Sequence, residues 1–199
     1  MSKCVIMFRH GETDWNKLGL VQGVSDMPIN EVGVAQASRL ALFLKEQNIE
    51  HIFCSPLQRT MQTGEIIARA CNVKMTVNDQ FREANFGVAE GKCRKAIRSE
   101  YAQHFDVIDR IDHPNSHYMS LPGAESRMQV FNRVSDALIT LVESIPYKTI
   151  GISSHGSAIS SVLTVLFNCG SFVQNCDAVR LSVDAEKISD YRLLNYDRF

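Results

Sequence analysis

No stretch of the chain approaches the roughly 18 consecutive apolar residues that a membrane-spanning helix needs, so no membrane crossing is expected in these 199 residues. The opening residues also lack the charged-then-apolar pattern of an export leader, because a strand-like run begins almost at once, and a cytoplasmic protein is expected. Charge of either sign is not in excess. Lys and Arg total 21 against 22 Asp and Glu, a net charge of -1, which excludes a general attraction to nucleic acid or anionic membrane and leaves any basic concentration to be local. No C-x-x-C pair occurs among Cys4, Cys54, Cys71, Cys93, Cys169 and Cys176. Cys4, Cys54 and Cys71 fall in apolar patterns, and the set reads as reduced core thiols, not as a disulfide framework. Internal repeats, linkers and low-complexity segments are absent as well. With 45% hydrophobic residues the chain can bury a substantial core, and its length suits one α/β domain over residues 1–199.

What is present is a repeated grammar: an apolar strand-like run followed by polar residues suited to gripping an anion. Cys4 to Phe8 delivers Arg9-His10-Gly11-Glu12-Thr13, placing a cation and a potential nucleophile where a strand would end. Strand ends are where ligands collect in α/β proteins. His51 to Cys54 leads into Ser55-Pro56-Leu57-Gln58-Arg59, in which Ser55 is expected to cap a helix, Pro56 to open it and Arg59 to lie in its first turn. A helix N-terminus is itself attractive to anions. Thr149 to Ser153 leads into Ser154-His155-Gly156, with a helix-like run from Ser157 to Phe167 behind it. A short strand candidate, Lys74 to Val77, precedes Phe81-Arg82-Glu83-Ala84-Asn85-Phe86-Gly87 and supplies a carboxylate in an apolar, glycine-bearing loop.

Strand and helix alternate along the chain. A helix is expected from about Asn30 to Gln47, capped by Asn30 and buried through Val32, Ala35, Leu40, Phe43 and Leu44. Another runs from Pro56 to about Ala70, where Gly64 should cost about 1 kcal/mol relative to Ala. A third, Glu125 to Ser144, carries Met128, Phe131, Val134, Leu138, Leu141 and Val142 at helical spacing as core residues. Such alternation predicts a three-layer α/β/α fold around a mostly parallel mixed sheet. The tail, Ala178 to Val183 and Asp190 to Asn195, reads as a hairpin that contributes one antiparallel strand.

These segments together resemble the histidine phosphatase superfamily, the group that includes the cofactor-dependent phosphoglycerate mutases and many small phosphatases. The likeness rests on Arg9 to Thr13 with Asn16, Gln22-Gly23 with Asp26, Pro28, Gly33 and Gln36-Ala37, and Ser55-Pro56-Leu57 with Arg59 and Thr63. It continues through Arg82-Glu83, Phe86-Gly87, Glu90-Gly91, Pro122-Gly123, Glu125-Ser126 and Ser154-His155-Gly156, so that it spans nearly the whole chain. Departures are Gly64, where the family commonly has Ala, and Ala124, where it usually has Gly.

The resemblance implies a small helical and loop cap insert at residues 90–121 that chooses the substrate. Lys92, Arg94, Lys95 and Arg98 cluster there, and for most of them a solvated face is the expected role. His113 and His117 have a helical ligand spacing, but Pro114 between them argues for a loop, and no metal is assigned.

Phosphoryl transfer needs positioning and cationic stabilisation above all. Arg9, Arg59 and a protonated His155 would supply them, without a metal or other cofactor. His10 would attack phosphorus through one ring nitrogen while a carbonyl holds the other ring N–H. Glu83 would protonate the leaving oxygen and then take a proton from water, although Glu12 and Glu90 are alternatives that only geometry separates. Asn16, Gln22, Gly23 and Gly156 are candidates for holding phosphate oxygens or substrate hydroxyls. The expected activity is metal-independent hydrolysis of a small phosphorylated metabolite through a phosphohistidine. The segment after Glu83 is too short for the long mutase insert, and no Arg-Arg pair occurs. A phosphoglycerate mutase is the alternative, and a phosphoprotein phosphatase or a non-catalytic binding protein stands behind it. Periodicity does not separate an exposed helix face from a dimer face, so a homodimer stays open.

Overall fold

The computed structural model describes residues 2–108, 115–170 and 173–194. Its sheet contains β1 (Lys3–Arg9), β2 (His51–Cys54), β3 (Met75–Val77), β4 (Thr149–Ser154), β5 (Ala178–Val183) and β6 (Ile188–Leu194), in the order β3-β2-β4-β1-β5-β6. The first four strands are mutually parallel. β5 runs antiparallel to β1 and β6 antiparallel to β5, so β5 alone opposes the common direction. Helices α2 (Glu31–Leu44) and α3 (Gln58–Cys71) cover one face, and α6 (Arg127–Ser144) and α7 (Gly156–Phe167) the other.

β1 shows why the sequence adopts this layering. Val5 and Met7 enter the core with α6 and α7, while Ile6 and Phe8 enter the one with α2 and α3. Successive side chains point to opposite faces, so a strand covered on both sides reads as an unbroken apolar run. Each such large side chain, fully buried, contributes about 1.5–3 kcal/mol.

The buried face of α2 differs from expectation. It comprises Gly33, Ala37, Leu40, Ala41 and Leu44, whereas Val32 and Ala35 face solvent. The cause is a backbone contact: a Cβ on Gly33 would stand 2.3 Å from the Glu12 carbonyl oxygen, and one on Gly11 would stand 2.4 Å from that of Gly33. The helix is rotated to press this glycine against the segment after β1. Asn30 caps it as expected, its Oδ1 accepting the Gly33 N–H at 2.9 Å.

Helix α3 starts at Gln58, later than expected, and Ser55 is not its cap. The Gln58 N–H donates to Asp26 Oδ1 at 2.7 Å, a cap supplied from elsewhere in the chain. Ser55 Oγ is turned toward His155. Gly64 has a packing reason, since a Cβ there would meet Met75 Sδ at 2.8 Å and Ser153 Cβ at 3.3 Å; the weak helix former lets α3 lie close to the sheet.

Between β3 and α6, the described part of the insert holds α4 (Arg94–Glu100) and α5 (Ala102–Ile108). A small cluster of Ala89, Ile97 and Leu121, with Val21, Phe86, Tyr101 and Phe105 against it, fastens the insert to the loop after α1 (Asp14–Lys17). Lys92 pairs with Glu100, and the Arg98 guanidinium stands 5.0 Å over the Phe105 ring. His113 and Pro114 lie outside the described residues, as does Asn195 at the expected end of the last strand. β6 begins at Ile188, earlier than expected, after a turn in which Asp184 Oδ1 accepts the N–H groups of Glu186 and Lys187. The Cys54 and Cys176 thiols are buried and pushed up to about 12 by desolvation, whereas Cys93 is exposed and no core residue.

Candidate active site

Sheet order positions the site. β4 lies between β2 and β1, with Cys54 opposite Ser153 and Arg9 opposite Ser154, so Ser55, His10 and His155 leave the sheet side by side at its carboxyl edge. The His10 and His155 rings are 5.4 Å apart, edge to face. Both imidazoles are buried.

His10 Nδ1 lies 2.7 Å from the Gly11 carbonyl oxygen, which can only accept, so Nδ1 carries the hydrogen and Nε2 keeps its lone pair. Burial, with the Arg59 and Arg9 charges behind it, holds the imidazole well below its ordinary pKa. The ring is therefore neutral at neutral pH, with a lone pair on Nε2 that is chemically able to attack an electrophile. Asn175 Nδ2 donates to the His10 carbonyl at 3.1 Å and fixes the backbone there.

Arg59 is fully buried. Its Nη2 donates to the Gly23 carbonyl at 2.6 Å, Nη1 to the Ser25 carbonyl at 2.8 Å and Nε to His155 Nδ1 at 3.2 Å. Three of the five guanidinium hydrogens are thereby placed, leaving one on each terminal nitrogen. Burial lowers its pKa to about 10, against the raising charges of Glu83, Asp26 and Glu90, so the group remains a cation. Thr63 Oγ1 joins this arginine to the first strand end, donating to the Arg59 carbonyl at 2.7 Å and accepting the Gly11 N–H at 3.0 Å.

His155 is neutral, contrary to the protonated state expected. Its Nδ1 accepts from Arg59, so the hydrogen sits on Nε2 and is donated to Ser55 Oγ at 2.8 Å. Desolvation, followed by the Arg59 charge, holds its pKa well below the ordinary value. Arg9 donates through Nη1 to the Val173 carbonyl at 2.7 Å and packs over Gly156, where a Cβ would lie 3.5 Å from its Nε.

Glu83 meets this group from the other side. Its Oε1 accepts the N–H groups of Ala84 at 2.9 Å and Ala158 at 3.1 Å, and Oε2 accepts that of Ser157 at 3.2 Å. The carboxyl thus stands at the positive end of α7. A carboxylate offers about four lone-pair directions, and among the described residues Oε2 accepts from Ser157 alone, which leaves a lobe open. Glu12 and Glu90 are engaged elsewhere: Glu12 Oε1 accepts from Asn30 Nδ2, and Glu90 binds backbone at Val24, Ser25 and Phe86.

The remaining candidates adjoin this group, Gln22 and Gly23 being buried. Asn16 belongs to a capping box with Thr13 at α1, and its Oδ1 also accepts from Asn175 Nδ2 at 3.1 Å. Gln22 Oε1 accepts from Thr13 Oγ1 at 3.0 Å, and Gly23 follows with a φ of 58°. All nine candidate residues are thus gathered at one sheet edge. Ser55, Asn175 and the pair Glu125–Arg133 went unassigned by sequence reasoning. Arg133 ion-pairs with Glu125 at 3.0 Å and donates to the carbonyls of Gln80 and Arg82, bracing the loop that carries Glu83. Asn175 follows no motif, whereas Glu125 stands in one with Ser126, although nothing in the sequence names Arg133 as its partner.

The model of the histidine phosphatase superfamily (branch 1) matches residues 5–188. The chain belongs to that superfamily. It is 32% identical over 184 residues to a probable phosphoglycerate mutase of Proteus mirabilis, covering 89% of this chain and 83% of that one. A homologous probable phosphoglycerate mutase of Yersinia pestis is 34% identical over 163 residues, 81% of this chain and 74% of the relative. Among solved structures, a mycobacterial glucosyl-3-phosphoglycerate phosphatase complexed with VO3 superposes with a TM-score of 0.80 at 23% identity, over 96% of this superfamily member and 97% of that chain.

Proposed function

We propose that the protein is a metal-independent phosphatase of a small phosphate monoester, working through a phosphohistidine at His10. The observation that carries this reading is the His10 tautomer, with Nδ1–H held by Gly11 and Nε2 unprotonated beside Arg9 and Arg59. In the first step Nε2 forms a bond to phosphorus as the bond from phosphorus to the ester oxygen breaks, and a proton held on Glu83 Oε2 in the substrate complex, where the phosphate charge stands beside it, passes to that oxygen. Arg9 and Arg59 face the charge that spreads over the equatorial oxygens. In the second step water attacks the phosphohistidine, Glu83 takes its proton, and inorganic phosphate leaves with His10 restored. Asn16, Gln22, Gly23 and Gly156 hold phosphate oxygens or substrate hydroxyls, and residues 90–121 act as the cap.

A second reading is phosphoglycerate mutase activity, favoured by the names of the sequence relatives. Hydrolysis is favoured by the short insert and by the missing Arg-Arg pair, the motif with which the mutases that this chain resembles grip a substrate carboxylate. Phosphate release across metabolite classes with a chelator present, run beside bisphosphoglycerate-dependent interconversion of phosphoglycerates, decides between them. Chelator-resistant phosphate release as the faster reaction supports the phosphatase. Interconversion without phosphate release contradicts it.

A further inference from the structure

Glu90 belongs to the insert, yet its carboxylate is spent on the loop that holds Arg59. Oε1 accepts the Val24 N–H at 3.0 Å, and Oε2 accepts the Ser25 N–H at 3.0 Å and the Ser25 hydroxyl at 2.6 Å. Oε1 also accepts the Phe86 N–H at 3.1 Å, tying the same carboxylate to the loop that carries Glu83. Two backbone bonds run parallel to it, from Val21 N to the Lys92 carbonyl and from Gly91 N to the Val21 carbonyl. The contact is close enough that a Cβ on Gly23 would stand 2.0 Å from Glu90 Oε1, so the glycine makes room for the carboxylate.

The residues gripped this way are those whose carbonyls aim Arg59. Glu90 fixes the N–H groups of Val24 and Ser25, and the flanking carbonyls of Gly23 and Ser25 take one hydrogen from each terminal nitrogen of the guanidinium. The remaining hydrogen on each nitrogen points where those two bonds dictate, because the guanidinium is planar and rigid. We propose that Glu90 is a positioning residue that transmits the placement of the insert to the phosphate-binding face of Arg59 through the Gly23–Ser25 loop. The inference rests on the reading that Arg59 binds the phosphoryl group. Its consequence is that a substrate contact shifting the 90–93 segment alters phosphate affinity without touching phosphate.

Glu90→Gln replaces an acceptor oxygen by an amide facing backbone donors, while keeping the side chain's size. The test measures the dissociation constant for inorganic phosphate in the full chain, its Glu90→Gln and Arg59→Met variants, and the double variant. Trp15 provides the fluorescence signal, because its ring borders Gly91. Glu90→Gln is expected to weaken phosphate binding about tenfold, the scale of one lost charge-assisted hydrogen bond. In the Arg59→Met background it is expected to change the constant less than about twofold, since coupled residues are not additive. Unchanged affinity in Glu90→Gln, or a full additional loss in the double variant, overturns the proposal. Unchanged affinity in Arg59→Met instead overturns the reading of Arg59 itself. Should Arg59→Met not fold, amide exchange of Glu90→Gln alone decides. Faster exchange at Val24 and Ser25 with weakened phosphate binding supports the coupling, and faster exchange with phosphate affinity retained refutes it.

Discussion

Replacing Glu83 by Gln separates two tasks of this side chain, capping α7 as the structure shows and supplying a proton as the proposed mechanism requires. The amide oxygen can take the place of Oε1 and keep the N–H groups of Ala84 and Ala158, but the amide nitrogen then faces the Ser157 N–H, donor against donor. One charge-assisted hydrogen bond is lost, worth about 1.5–3 kcal/mol. The α7 N-terminus also loses an anion worth about 0.3–1 kcal/mol. Together these put the expected loss of stability at about 2–4 kcal/mol, readable by denaturant unfolding. The chemical loss is of another kind. A general acid contributes about 10²–10⁴-fold where the leaving oxygen needs a proton, and far less where the leaving group is a stable phenolate. Glu83→Gln should therefore lower kcat/KM for an alkyl phosphate by about 10²-fold or more relative to its effect on an activated aryl phosphate, assayed well below the melting temperature. Equal losses on both substrates would refute Glu83 as proton donor and leave it a helix cap.

Ser55→Ala removes the acceptor of the buried His155 Nε2–H and should destabilise the fold by about 1–3 kcal/mol, with a raised KM as Arg59 loses its aligned partner; unchanged stability and KM would contradict the tautomer described. pH acts through His10 and His155, whose folded pKa values are both depressed, chiefly by burial. In the unfolded chain they titrate near about 6.5, so below that pH the unfolded state binds protons that the folded state refuses, and stability falls as pH drops toward the folded values. Thermal unfolding should show a melting temperature declining from about pH 6.5 downward, less steeply with saturating phosphate, whose negative charge favours the imidazolium forms. A flat profile would contradict the buried neutral pair.

The strand ends were legible because a doubly covered parallel sheet writes each strand as an apolar run and exposes its chemistry in the next residue. Arg9 ends its strand, and His10, Ser55 and His155 each follow one directly; Glu83 departs from the rule, lying beyond a turn after the partly exposed β3. Features set by tertiary contact were not legible. The rotation of α2 depends on Gly33 meeting the Glu12 backbone, and the α3 cap comes from Asp26 instead of the adjacent Ser55. The charge of His155 was misjudged for a related reason. An anion-binding motif suggests an imidazolium, but two neighbouring guanidinium charges and complete burial favour the neutral ring. Glu83 was separable from Glu12 and Glu90 only once their hydrogen-bond partners were known.

The central claim is that His10 carries the phosphoryl group between the two steps, and rapid acid-free quenching with a radiolabelled phosphate monoester tests it most directly. Acid-labile, base-stable label on His10, absent from His10→Ala together with turnover, is the predicted result. Label on another residue, or full phosphatase activity in His10→Ala, would contradict it.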